Sequence, residues 1–169
     1  MNVSCDRDMI ILGLDPGLNT TGFGAIRCDN RIPSMLKCGC IKTDPKEQIS
    51  QRLFQIYTDI NNLVHSLRPD LVAVENAFSL VRYPKAGILL GSVLGIIYLS
   101  VFQHDISAIE ITPREIKNSL AGYGAADKYQ MKATIESLLK IAGIKSLHAS
   151  DALAVALTAF YRNSFGRVR

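Results

Sequence analysis

The chain contains no CxxC pair and no His/Cys cluster with zinc-ligand spacing, although it carries four cysteines, at positions 5, 28, 38 and 40. That removes zinc-ribbon and dithiol-redox designs and makes a reducing cytoplasm the simplest setting. Cys38 and Cys40, two apart in a strand-like run, should share one face as buried thiols. No secretory leader is visible, because residues 1–8 are polar with charges of both signs. They are expected to form a flexible extension or to mark an upstream start. Internal repeats and domain-splitting linkers are also missing. With 169 residues, 48% hydrophobic and 20% charged, the chain is expected to fold as one domain over residues 9–163, with 164–169 as a tail. A strong charge bias is absent too. A net charge of +4 and a pI near 8.9 are compatible with a nucleic-acid partner without requiring one.

One uncharged run, residues 86–102, raises a membrane reading, since Gly87, Gly91 and Gly95 repeat the GxxxG packing signal. The run falls short of the ~20 residues that span a bilayer comfortably. Strand patterns flank it on both sides, which favours a buried helix in an α/β layer. Its glycine face could serve a dimer contact or tight packing within one subunit, and the sequence does not choose.

Apolar periodicity gives the rest of the layout. Residues 10–15, 21–27 and 36–43 read as three successive strands, with a Gly/Pro/Asn turn after the first. Ile49, Leu53, Ile56, Ile60, Leu63 and Leu67 then recur at three and four, predicting an amphipathic helix over 46–67 that ends at Arg68-Pro69-Asp70. Residues 71–75 are almost wholly apolar, as in a strand covered on both faces. A loop over 76–84, the glycine-spaced helix and a strand at 107–111 follow. Thr112-Pro113-Arg114-Glu115 is a capping box with proline at the first helical position. Gly122-Tyr123-Gly124 breaks that helix, Asp127 caps the next, which runs to about Ile141, and a last helix covers 148–161. The order βββαβαβααα predicts an α/β fold, a mixed five-stranded sheet flanked by helices.

Four residues at the ends of apolar runs carry the chemistry. Asp15 closes Ile10-Ile11-Leu12-Gly13-Leu14, Glu75 closes Leu71-Val72-Ala73-Val74, and His148 and Asp151 open the apolar stretch over 152–160. A carboxylate at the carboxyl end of a buried strand is held rigidly and faces a cleft. Taken singly, each has an ordinary explanation: a solvated turn aspartate, or an acidic residue favoured at a helix start. Glu75 is the exception, because a structural glutamate there needs a buried partner or must titrate. His148 and Asp151, spaced i, i+3, can address one ion. Together they point to a metal-dependent enzyme acting on phosphate esters, since hard divalent cations take fixed oxygen ligands.

At this point a resemblance becomes specific. Ile11-Leu12-Gly13-Leu14-Asp15-Pro16-Gly17, Val74-Glu75-Asn76-Ala77-Phe78, and His148-Ala149-Ser150-Asp151-Ala152-Leu153-Ala154 resemble the three catalytic motifs of the bacterial RuvC Holliday-junction resolvases. Thr112-Pro113-Arg114-Glu115-Ile116-Lys117 and Lys128 extend the likeness, which runs in order from residue 9 to about 163. It implies an RNase H-like fold, a homodimer, partner RuvA and RuvB branch-migration proteins, and Mg²⁺-dependent nicking of four-way DNA junctions. Carried over residue by residue, Asp15, Glu75, His148 and Asp151 match metal-binding positions, which implies a mechanism with two ions roughly 4 Å apart. Lys117 and Lys128 match basic residues that meet the backbone near the cut and add charge at the transition state. Their ordinary reading is solvated helix lysines. Phe78 matches an aromatic that stacks on unpaired bases. Its loop, with Arg82, Tyr83 and Lys85, has the make-up of an aromatic-and-basic binding surface, to which Arg114 is added. Family members carry aspartate or histidine at position 148, and the histidine here makes one ligand neutral and softer, so Mn²⁺ should be tolerated and ion affinity should fall at mildly acid pH. Two other readings stay beside this one. A YqgF-like RNA-processing nuclease shares the fold. An actin-like ATPase opens with a similar Asp–Gly/Thr turn but needs a second domain and a second glycine-rich turn, which the sequence lacks.

Overall fold

The computed structural model describes residues 8–76, 84–121 and 127–165. Five strands, β1 (Met9–Asp15), β2 (Thr20–Asp29), β3 (Ile32–Lys42), β4 (Leu71–Glu75) and β5 (Ser107–Ile111), form one sheet in the order β3-β2-β1-β4-β5. The first three pair antiparallel as successive hairpins, whereas β1, β4 and β5 run parallel. The long crossovers are supplied by α1 (Ile49–Leu67) and α2 (Pro84–Phe102), and α3 (Pro113–Ala121), α4 (Lys128–Leu139) and α5 (Leu147–Phe165) complete the chain. The element order agrees with the sequence reading, and the ends differ by a few residues, most at the start of β3 and the end of α5.

Strand alternation sorts the core into two layers. Leu12, Leu14, Ala25, Val72 and Val74 face α1 and α2 through Ile56, Ile60, Leu63, Val93 and Ile97. Ile11, Ile26, Ala73 and Ile111 face α3, α4 and α5. Local signals end the elements where the sequence says they should. Thr112 and Glu115 exchange capping bonds, Thr112 N to Glu115 Oε2 at 2.7 Å and Glu115 N to Thr112 Oγ1 at 3.2 Å. Asp127 Oδ1 accepts from the amides of Tyr129 and Gln130, both at 2.8 Å. Arg68 caps α1 in the left-handed region, at φ 46°, just before Pro69.

α5 is the centre of the molecule: residues 152–160 are all buried. It lies directly on the sheet because glycines line its track. A Cβ on Gly13 would sit 2.1 Å from the Ala152 carbonyl oxygen, and one on Gly22 would sit 2.1 Å from that of His148. No side-chain rotation relieves a collision with backbone.

Two expectations need correction. The apolar helix over 86–102 was expected to be buried within the α/β layer. It is long and apolar enough to cross a membrane by length and composition, yet only 22% of its apolar window is buried. Val93, Ile97 and Val101 pack inward, while a Cβ on Gly87, Gly91 or Gly95 would meet nothing within 4 Å. The glycine face therefore packs against no part of this subunit among the described residues. As the crossover between parallel β4 and β5, α2 belongs to the layered domain rather than to a bilayer. Second, Cys38 and Cys40 share a face as expected but are half-buried, because β3 is an edge strand; Cys28, one strand inward, is the buried one.

Gly22→Ala is expected to lower stability by ~1–3 kcal/mol, the usual cost of overpacking, with a fall in melting temperature of roughly 5 °C in a calorimetric or dichroism melt. Gly95→Ala, on the open face of α2, meets no atom of its own subunit and should leave the subunit's fold intact; a fall in melting temperature that depends on protein concentration would place that face in a contact between copies.

Candidate active site

The two halves of the topology converge at the carboxyl end of β1. Asp15 is the last residue of β1 and Glu75 the last of β4, its parallel neighbour, so both carboxylates emerge from the same sheet edge. α5 begins above that edge, and its first turns present His148 and Asp151, one helical turn apart.

The side chains meet closely. His148 Nδ1 and Asp15 Oδ2 are 2.7 Å apart. Asp15, His148 and Asp151 each offer a ligand atom, and all these atoms lie within 4.8 Å of one another. Glu75 comes in from the other side, where the negative charge of Asp15 bears on its carboxyl group. Asp15 is thus the member between the two flanks. Lys128, at the first turn of α4, places Nζ 3.9 Å from Asp151 Oδ2. Lys117 lines the same groove, whose volume is about 540 Å³ and whose walls also include Asp127 and Met131.

Three carboxylates this close, partly withdrawn from water, cannot all ionise without cost. Glu75 takes most of it. Burial, then the charge of Asp15, then that of Asp151, push its carboxyl group up to about 8, with Lys128 pulling the other way. Asp151 is also raised, by burial and by Asp15, against the opposing influence of Lys128 and His148. The donor set fits a hard divalent ion: carboxylate oxygens on rigid elements, one imidazole, and an unrelieved negative charge that a cation would neutralise. An open groove leaves room for substrate beside it.

The expected site residues divide in three. Asp15, Glu75, His148, Asp151, Lys117 and Lys128 come together in one groove, with Glu75 outside the tightest trio. Arg114 and Lys85 are exposed at the starts of α3 and α2 and do not line the groove. Phe78 and Arg82 lie outside the described residues. Sequence reasoning missed a buried cluster behind the β1–β2 turn, where Arg52 donates to Thr43 Oγ1 at 2.9 Å and to Asn19 Oδ1. Nothing in the pattern marks Arg52, which stands beside Leu53 like any helix-surface arginine.

A mixed sheet of this order, with acidic residues at the carboxyl ends of its two central strands and on a helix above them, defines an RNase H-like fold with a metal-competent nuclease-type centre. The comparisons with known proteins make the class specific. The family model for crossover junction endodeoxyribonuclease RuvC matches residues 11–159. A protein of that name from Tolumonas auensis is 38% identical over 148 residues, 88% of this chain and 84% of its own length. Another, from Caldicellulosiruptor saccharolyticus, is 37% identical over 151 residues, 88% of this chain and 90% of its own. The structure of Thermus thermophilus RuvC in complex with a Holliday junction superposes with a TM-score of 0.86 at 30% identity, covering 92% of this chain and 95% of that one. The chain belongs to the RuvC family of crossover junction endodeoxyribonucleases.

The raised Glu75 fixes a sign for the pH dependence of the metal-free protein. Its carboxyl group binds a proton more tightly folded, at about 8, than at its ordinary value of 4.5, so the folded state holds more protons between those limits. Stability should then be greatest below about pH 4.5 as far as this group decides it, and be lost as pH rises towards 8, by on the order of a few kcal/mol. Thermal melts in chelator across that window should show the decline, and Glu75→Gln should flatten it.

Proposed function

We propose that Asp15, Glu75, His148 and Asp151 form the metal centre at which this RuvC-family endonuclease resolves four-way DNA junctions by paired nicks, in recombination and repair. The observation that carries this reading is the Asp15–His148–Asp151 trio within 4.8 Å, with Glu75 lining the same groove, edged by Lys117 and Lys128. Mg²⁺ is the resident cation, with Mn²⁺ accepted because His148 is a softer ligand than a carboxylate. Two such ions would activate a water on one side of the phosphate and stabilise the leaving 3′-oxygen on the other.

The residues divide the remaining work. Asp15, with His148 and Asp151 on one side and Glu75 on the other, would hold a cation together with either flank. Glu75 and Asp151 close the centre from β4 and α5, and each must be ionised to do so, so ion binding near neutral pH displaces the proton held by Glu75. His148 offers a ring nitrogen from the first turn of α5, beside the carboxylates of Asp15 and Asp151. Lys128 shifts from its carboxylate neighbour to an incoming phosphate oxygen, and Lys117 meets the same backbone, so both add positive charge where negative charge develops. Phe78, Arg82, Lys85 and Arg114 are the further residues assigned to DNA binding, of which Lys85 and Arg114 are exposed. The products carry a 5′-phosphate and a 3′-hydroxyl.

Paired cuts need two centres, and the open face of α2 supports a homodimer. Gly87, Gly91 and Gly95 leave room for a second helix to approach closely, and the same helix exposes Ile88, Leu99 and Phe102. Homologues of RuvA and RuvB are the partners that family membership implies.

A labelled four-way junction and a matched linear duplex, incubated with the protein in Mg²⁺ or Mn²⁺, test the reading. Symmetric nicks on the junction alone are expected. Asp15→Asn should slow them by more than the roughly 100-fold typical of losing an outer-shell partner. Equal cutting of linear DNA, or cutting of structured RNA instead, would reject junction resolution.

A further inference from the structure

Arg52 is 94% buried by area, with 6% relative exposure, and carries a full positive charge into the start of α1. A buried guanidinium is normally paired with a carboxylate. Here both hydrogen-bond acceptors are neutral: Nε donates to Thr43 Oγ1 and Nη2 to Asn19 Oδ1. Among the described residues no carboxylate pairs with it. Thr43 passes the brace on, donating to the Leu18 carbonyl at 2.6 Å, and its own amide donates to the Asn19 carbonyl at 3.2 Å. Four bonds thus fix the turn between Asp15 and Thr20, and the charge at their centre is left over.

Asn19 is where that charge can be used. Arginine only donates, so the oxygen of the Asn19 amide must face Arg52 and the nitrogen must face away. Asn19 is exposed, and no partner for its Nδ2 exists among the described residues. A donor drawn on from behind by a cation is polarised and becomes a stronger donor in front. It sits in the turn that leaves Asp15, on the sheet edge where the carboxylates emerge, and next to Thr20, which pairs with Lys42 across the sheet. The nearby Asp44 directs its carboxylate to the Lys46 amide, at 2.9 Å.

We propose that Asn19, aimed and polarised by buried Arg52, is a ligand for a phosphodiester oxygen of the bound DNA strand. The inference rests on the reading of the groove as a DNA-cutting site and adds a contact to it. Asn19 binds substrate; Arg52 is a positioning residue that acts through it. The amide supplies a directed donor in the turn that follows Asp15 without placing a cation that would compete with metal for Asp15.

Asn19→Asp separates this role from a structural one. The aspartate keeps an oxygen facing Arg52 and gains a charge-assisted pair, so the melting temperature should hold or rise. Facing DNA it offers a negative oxygen in place of the N–H donors. With a four-way junction in Mg²⁺, KM should increase roughly tenfold while kcat stays within about twofold, the pattern of a lost ground-state contact. Asn19→Ala, which removes the donor without adding charge, should raise KM by a similar factor. If the wild type cuts the junction and both variants keep KM within about twofold, this inference fails alone. A wild type that cuts no junction overturns both readings.

Discussion

The contact between α5 and the glycines of β1 and β2 is the constraint on which the rest depends. A helix normally rides above a sheet on a cushion of side chains. Here the backbone oxygens of His148 and Ala152 occupy the space that β-carbons at positions 22 and 13 would need. That approach brings a helix turn within hydrogen-bond reach of a strand end and lets His148 and Asp151 meet Asp15. It also explains why α5 is packed with Ala, Val and Leu over two turns: a helix this close needs small or compact residues facing the sheet.

The same approach imposes an electrostatic cost. Glycine spacing and strand order bring three carboxylates to one edge, and the interior behind them is apolar. Local interactions relieve little: Lys128 reaches only 3.9 Å from Asp151 and is mostly exposed, so water screens it. The protonated Glu75 is the compromise of the isolated chain. A divalent cation at the proposed centre would remove the need for it, so metal binding, proton release and stability would be linked at one point.

Much of this was legible in the sequence because the signals were local. An acidic residue closing an apolar strand, a capping box at Thr112, and an i, i+3 pair opening a helix each state their geometry within a few residues. The sheet edges were less readable. Cys38 and Cys40 alternate like core residues, and only strand order places them on an outer strand. α2 reads as buried because hydropathy cannot say whether the partner for an apolar face is the same chain or another. Arg52 was invisible for a related reason. Its burial depends on Asn19 and Thr43, which come from two distant turns.

Charge placement also accounts for how the groove can attract a polyanion while being built from acids. The chain's net charge is only +4, and the centre itself is negative. Before metal arrives, DNA phosphates and the carboxylates repel each other across the groove. Cations held at the proposed Asp15 centre would reverse the sign at the point of reaction, whereas Lys117 and Lys128, at its margin, would not do so alone. On that proposal, productive binding of DNA at this site would follow metal occupancy, and a strand held elsewhere on the surface would not be cut until the centre is filled. The ordering follows from the crowding of carboxylates that the glycine-lined approach of α5 creates.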